Sequence, residues 1–227
     1  MKKQITQIID LQQLDFLADI NRFSTLLNER LANGTDNEDT HYLYKTILLK
    51  SAYELHKNLM EYQLFDNAVI IAHSCYQIEN QLWSYHHLNT TNLLQIGLLT
   101  LYQDTSVPLH DHPGAYGIQY VISGKVHIQQ YQHASDIEVK QSTAALEKVA
   151  ENSLIKDEVS IFQPLAGNIH CLKSISKRSV LLSMVLHPYS FQERSWYFPI
   201  RDLPTSKEVL FSRVKMLRRN IKEKHFH

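Results

Sequence analysis

The sequence predicts a mainly β protein, a sandwich or small barrel, preceded by an α-helical region. Apolar residues recur at helical spacing from about 5 to 32 and again from about 40 to 62. From about residue 79 onward, short apolar or alternating segments are separated by turn-forming residues, a pattern typical of sandwiches and barrels. We therefore divide the chain into a helical region at 1–78, a β domain at 79–200 and a basic C-terminal helix or tail at 201–227.

The β domain is predicted from strands that alternate with turn signals. Residues 81–88 and 93–102 flank Asn89-Thr90-Thr91-Asn92, a sequence typical of a hairpin turn. Ser123-Gly124, between 117–122 and 125–131, is a second hairpin signal. The segment at 138–154 is ambiguous. Further short strands are predicted at 160–163, 169–174 and 180–186.

The amino-acid composition argues against several classes of protein. The 227 residues carry 23 basic and 23 acidic side chains, and a net charge of zero argues against nucleic acid or an anionic membrane as a partner. No uncharged apolar run approaches the roughly 18 residues of a spanning helix, and Asp10, Asp15 and Asp19 interrupt any secretion signal. Two cysteines, Cys75 and Cys171, do not imply a disulfide scaffold. We expect a cytoplasmic protein, with a monomer favoured.

Histidine is the exceptional residue, with 13 in the chain. His110 and His112 lie in Pro108-Leu109-His110-Asp111-His112-Pro113, and residues two apart on a strand share one face. They could therefore present two imidazoles to one ion, and His170 on a later strand offers a third. Ligands from two neighbouring strands cap one side of an ion and leave the other open, as non-haem Fe(II) oxygen chemistry requires.

Two segments carry a resemblance to a known family. SVPLHDHPGAYGIQYVISGKVHI and GNIHCLKSISKRSVLLSMVLHPYS resemble the 2-aminoethanethiol dioxygenase and plant cysteine oxidase family, with similarity from about 82 to 198. No resemblance is found at 1–78. The resemblance implies a cupin barrel (a double-stranded β-helix, jelly-roll-like) with Fe(II) held by His110, His112 and His170. It also implies oxidation of a small thiol by O2 to a sulfinic acid, with Tyr189 on the rim of the active site.

Departures from the family pattern bear on the substrate. Gly117 stands where many cupins have a glutamate ligand, which favours a three-histidine site. Ser183 aligns with the family's pocket aspartate, which weakens the case for a cysteamine or N-terminal cysteine substrate. A thiol without an ammonium contact becomes more plausible. Tyr116 and Gln119 are further candidates for the pocket wall.

Two alternatives compete with a thiol dioxygenase. Three histidines also suit Zn, Ni or Mn, so the chain could be another cupin enzyme with a non-thiol substrate. It could instead be a ligand-binding cupin that signals to a partner through its helical region.

Overall fold

The computed structural model describes most of the chain from residue 74 onward. Before residue 74 it describes six single positions, all helical and exposed: Thr25, Glu29, Tyr42, Thr46, Tyr53 and Lys57. The extents of the predicted helices lie outside the described residues, as does the segment at 217–227. The continuous described segments are 74–78, 81–90, 94–134, 142–164, 166–186, 194–200 and 209–216.

These segments contain twelve strands, most of them short. No helix in the described part of the chain has the length and apolar character needed to cross a bilayer. The strands are β1 Ser74–Ile78, β2 Gln81–Thr90, β3 Leu94–Tyr102, β4 Ser106–His110, β5 Tyr116–Ser123, β6 Lys125–His133, β7 Thr143–Ile155, β8 Val159–Phe162, β9 Ile169–Ser174, β10 Arg178–Leu186, β11 Ser195–Pro199 and β12 Val209–Met216.

The strands form two antiparallel sheets. Sheet A has the order β1-β2-β3-β10-β5-β8, and the other six strands close into a ring in the order β11-β12-β7-β6-β9-β4. Between β3 and β10 the chain passes repeatedly from one sheet to the other, as in a jelly roll. The predicted mainly β, cupin-type fold is confirmed.

One apolar cluster joins the two sheets, and another packs within the ring. The larger cluster fills the space between sheet A and the ring, and burial contributes roughly 1.5–3 kcal/mol for each large side chain. Its members from sheet A are Trp83, Leu99, Leu101, Val121 and Leu181, and those from the ring are Val107, Val126, Ile128, Leu154, Leu172 and Trp196. The second cluster draws on all six ring strands through Leu109, Tyr131, Ala144, Leu146, Ile169, Tyr197 and Leu210.

Strand alternation between the two clusters positions the histidines. Leu109 and Ile169 pack in the ring cluster, so their neighbours His110 and His170 point the opposite way, toward sheet A. Contacts of His110 with Trp196 and of His170 with Phe162 agree with this orientation.

The first predicted hairpin is present, because β2 pairs with β3, although Asn89 and Thr90 belong to β2. The second is wrong. β5 lies in sheet A and β6 in the ring, so Ser123-Gly124 is a crossover between sheets. Gly124 has φ +83°, and a Cβ there would lie 2.5 Å from the carbonyl oxygen of Arg178. The glycine is needed because β10 approaches closely, which a local turn signal does not reveal.

The C-terminal segment also departs from expectation. Residues 209–216, predicted as part of a terminal helix or tail, form β12, which pairs with β7 on one side and β11 on the other. A short apolar run does not distinguish helix from strand by its periodicity alone. Hydrogen bonding on both edges decides the outcome here.

Candidate metal centre

Three histidines converge between the sheets. The Nε2 atoms of His110 and His112 are 3.1 Å apart, and the ring of His170 lies 4.7 Å from that of His110 and 5.1 Å from that of His112. All three side chains are buried. Among the described residues they form the one group of three His, Cys or acidic side chains whose ligand atoms are close enough to share an ion.

His110 and His170 are placed by strand pairing. His110 ends β4, His170 is the second residue of β9, and the two are register partners. Cross-strand partners project to the same face, so two residues separated by 60 positions bring their imidazoles together.

Contrary to the prediction from the sequence, His112 is not positioned by strand alternation. It lies beyond the end of β4, so strand alternation does not place it. The Asn168 side chain holds it instead: Asn168 Oδ1 accepts from the His112 N–H at 2.6 Å, and Asn168 Nδ2 donates to the His112 carbonyl at 2.7 Å. Our sequence reasoning missed Asn168, although it lies inside the Gly-x-x-His element that ends at His170.

The ring nitrogens suit a metal. His110 Nδ1 lies 2.8 Å from the carbonyl oxygen of Pro108, to which it donates, leaving the Nε2 lone pair toward the cluster. Neither ring nitrogen of His170 makes a hydrogen bond of good geometry with the described residues. A buried polar group without a partner costs about 1–3 kcal/mol, so these nitrogens are suited to a ligand.

The electrostatics of the site keep the imidazoles neutral. Burial lowers the pKa of His110 and of His112 well below 6.5, and lowers that of His170 to about 3. The positive charge of Arg194 lowers all three pKa values further, whereas backbone groups of Gly167 and Asn168 partly oppose this at His170. A neutral imidazole is the form that binds a cation.

Phe162 packs against two of the histidines and over Gly117. Its ring stacks on His112 at 4.8 Å and tilts against His170 at 4.9 Å. A Cβ on Gly117 would lie 2.1 Å from Phe162 Cζ. Gly117 is the position where many cupins carry a glutamate ligand, so the phenyl ring and a carboxylate exclude one another.

Two of the other predicted pocket residues lie together. Ser183 and Gln119 are register partners on β10 and β5, both buried, and Gln119 Nε2 donates to Ser183 Oγ at 3.0 Å. Gln119 Oε1 is buried and has no hydrogen-bond partner among the described residues. The pair shares a face of sheet A with Gly117, two positions from Gln119.

Tyr116 is not brought to this pair. Tyr116 is fully buried but three positions from Gln119, so it projects from the opposite face of β5. Tyr116 and Gln119, both predicted for the pocket wall, therefore lie on opposite faces of β5. Tyr189 lies outside the described residues.

Asp111 and Cys171 make contacts that stabilise the fold. Asp111 Oδ1 accepts from the Ser195 N–H at 2.7 Å and Oδ2 from the Tyr197 hydroxyl at 3.0 Å, which ties the end of β4 to β11. Burial raises the pKa of Asp111. Cys171 packs against the ring cluster, and burial raises the pKa of its thiol to about 11.

Arg194 is a residue of the site that the sequence did not indicate. It directly precedes β11, and its Nη2 lies 3.1 Å from His112 Nδ1. It belongs to no motif, and only the pairing of β11 with β4 brings it to the histidines.

The double-sheet fold and its buried histidines define a cupin with a candidate three-histidine metal centre. The PCO_ADO family model matches residues 54–224, and the chain belongs to this family. The resemblance seen in the sequence is thus confirmed. The match also includes 54–78, where we found no resemblance.

Two curated relatives have names that describe thiol oxidation. Plant cysteine oxidase 1 from Arabidopsis thaliana is 30% identical over 101 residues, which cover 43% of this chain and 34% of the relative. Human 2-aminoethanethiol dioxygenase is 24% identical over 127 residues, covering 47% of each chain. The chain spans between a third and a half of the length of these relatives.

Among solved structures, a cupin superfamily protein from Desulfitobacterium hafniense is similar at 18% identity and a TM-score of 0.35. The match covers 52% of this chain and 85% of that one.

Proposed function

We propose that this protein is a thiol dioxygenase that oxidises a small thiol with O2 to a sulfinic acid, using Fe(II) held by His110, His112 and His170. The observation that carries the proposal is the convergence of three buried, neutral imidazoles in a chain of this family. The His110 Nε2 lone pair and one ring nitrogen of His170 fit an ion at the centre of the three rings. Fe(II), when bound, would supply the redox chemistry and favour the thiolate form of the substrate.

The side chains around the histidines would exclude water and orient the substrate. Phe162 and Trp196 pack directly on the imidazoles, so apolar surface surrounds this side of the histidines. Gln119 and Ser183 are the polar groups we assign to the remainder of the substrate. Tyr189, which the resemblance puts on the rim of the active site, is our candidate hydrogen-bond donor to the substrate or to O2. We place the activity in the cytoplasm, where thiols stay reduced.

The test begins with metal analysis of protein purified without added metal. Anaerobic loading with Fe(II), followed by O2 uptake measurements with a panel of small thiols, should give thiol-dependent uptake and a sulfinic acid detectable by mass spectrometry. Absence of uptake with every thiol would contradict the proposal. Native Zn, Ni or Mn in that case would favour a cupin enzyme of another class.

A histidine variant tests the ligand assignment. His170→Ala should lose most of its bound metal, because two imidazoles seldom suffice to hold a divalent ion. His127→Ala is the matched control, since His127 contacts Glu151 on the exposed face of the ring strands. Full metal occupancy in His170→Ala would show the assignment to be wrong.

A further inference from the structure

Arg194 makes a contact with His112 that metal binding would break. A guanidinium can only donate, so His112 Nδ1, 3.1 Å from Arg194 Nη2, is the acceptor. The hydrogen of the neutral ring is then on His112 Nε2, which faces His110 Nε2 at 3.1 Å. This chain of donors and acceptors ends at the Pro108 carbonyl, to which His110 Nδ1 donates.

If His112 Nε2 binds an ion, the donor and acceptor roles of the two His112 ring nitrogens are exchanged. The ligand nitrogen must present its lone pair, so the ring hydrogen moves to Nδ1. Nδ1 then donates, and two donors cannot face each other at hydrogen-bond distance. Arg194 must therefore turn away from His112 and find another acceptor.

The described residues offer the guanidinium no free carboxylate. Asp111 is close enough to feel the charge of Arg194, but its two oxygens already accept from Ser195 and Tyr197. No ion pair joins Arg194 to an acidic side chain within the described segments. Since no described carboxylate takes this role, an anionic group on a bound ligand is a fitting partner for the guanidinium.

The charge balance indicates which substrate would supply that anion. A divalent ion on three neutral imidazoles, together with the half-buried Arg194 guanidinium, would place three positive charges close together. A thiolate offsets one of them, and a substrate ammonium would add another. The pocket position that the resemblance assigns to an aspartate is the uncharged Ser183, bonded to the uncharged Gln119. Unpaired like charges at low dielectric are costly, whereas a second negative charge on the substrate is favourable.

We propose that Arg194 is the specificity-determining residue of this site, and that it binds the carboxylate of a thiol substrate after metal binding releases it from His112. The substrate class is then a small mercaptocarboxylate. This inference rests on the proposed function, because it assumes that a thiol binds at the three histidines.

Binding to the Co(II)-loaded full-length protein tests the proposal apart from catalysis. The probes are 3-mercaptopropionate, its neutral amide 3-mercaptopropanamide and cysteamine, titrated anaerobically while thiolate-to-Co(II) absorption is followed. The carboxylate should bind at least about tenfold more tightly than the amide, which is the range of one charge-assisted hydrogen bond. Cysteamine should bind most weakly.

Variants of Arg194 assign the preference to its guanidinium. Arg194→Met should abolish the difference between carboxylate and amide and should bind Co(II) more tightly than wild type, since the competing contact with His112 is lost. Arg194→Lys should keep part of the preference. Arg178→Gln, at an exposed position that begins β10, is the charge-matched control and should behave as wild type.

Equal binding of carboxylate and amide by the wild type would overturn the inference while leaving a thiol site intact. A preference retained in Arg194→Met would overturn it as well. If none of the three thiols changes the Co(II) spectrum, the proposed function fails, and the inference fails with it. The comparison of 3-mercaptopropionate with its amide uses wild-type protein alone, so it gives a result even if an Arg194 variant does not fold.

Discussion

Asn168 shows how a single residue can govern a site without being a ligand. Its side-chain amide is buried and holds both main-chain polar groups of His112. It lies two positions before His170, so one short segment supplies a histidine and fixes the position of another. The loop that carries His112 has no strand ladder of its own to hold it.

We predict that Asn168→Ala lowers metal affinity about 10–100-fold, the usual effect of removing a group that orients a ligand. The unfolding free energy should also fall by about 1–3 kcal/mol, because the buried N–H of His112 loses its partner, whereas the His112 carbonyl still accepts from the Ala115 N–H. Competition titration with a metal-binding dye and urea unfolding would measure the two effects. Asn152→Ala, at an exposed position on β7, is the control. Unchanged metal affinity in Asn168→Ala would contradict this role.

At the scale of elements, the pairing of β5 with β8 shapes the metal centre. Gly117 and Phe162 are register partners, and the phenyl ring lies over the glycine and against two histidines. The phenyl ring of Phe162 thus occupies space on β8 that is open only because Gly117 on β5 has no side chain.

A double-mutant cycle should reveal this coupling. Gly117→Ala should destabilise the fold by about 1–3 kcal/mol through overpacking, and Phe162→Ala by about 3–5 kcal/mol through the cavity it leaves. In the double variant, the penalty of Gly117→Ala should disappear, because the methyl group enters space vacated by the ring. Urea unfolding of the four proteins measures the cycle. Strictly additive free energies would show that the two positions do not compete for space.

β12 closes the ring, and its central residue allows a matched test. Ser212 is fully buried, pairs with Ala144 and Pro199, and has an Oγ without a hydrogen-bond partner among the described residues. Ser212→Pro should destabilise the protein strongly, because proline removes a ladder donor from a strand paired on both edges. Ser212→Ala should be neutral or stabilise by up to about 1–3 kcal/mol, because it removes an unsatisfied polar atom. Thermal unfolding compares the two; equal midpoints would contradict the closure of the ring by β12.

At the scale of the whole molecule, the buried histidines link stability to pH. Their pKa values are near 6.5 when unfolded and are lowered by burial when folded, to about 3 for His170. Between these values the unfolded chain binds more protons, so the unfolding free energy must fall as pH falls. Burial raises the pKa of Asp111, so this group alone would make the unfolding free energy rise as pH falls. It is one group, whereas three histidines act in the other direction.

The metal-free protein should therefore be less stable at about pH 5 than at about pH 8, measured by urea unfolding at constant ionic strength. His170→Ala should show a shallower dependence, since it removes one of the three groups. A flat profile for the wild type between these pH values would contradict the neutral, buried state of the imidazoles.

The sequence by itself determined the chemistry that is available and much of the secondary structure. His110, His112 and His170 were identified from their spacing and their motifs, and most strands from β5 to β10 from short apolar runs between turn residues. Hydrophobic alternation and ligand type are local properties, so they can be read without knowing what lies nearby. Gly117 in place of a carboxylate also pointed to the three-histidine set.

Tertiary structure alone decided which of these groups meet. Ser123-Gly124 has the composition of a hairpin but connects two sheets, and residues 209–216 became a strand because β7 and β11 each offer an edge. Arg194 belongs to no motif, and Asn168 lies in the Gly-x-x-His element without its role being visible there, since both residues act through contacts across 50 or more positions of sequence. Contacts of this kind are fixed by the packing of the whole molecule, and a local pattern does not record its distant partner.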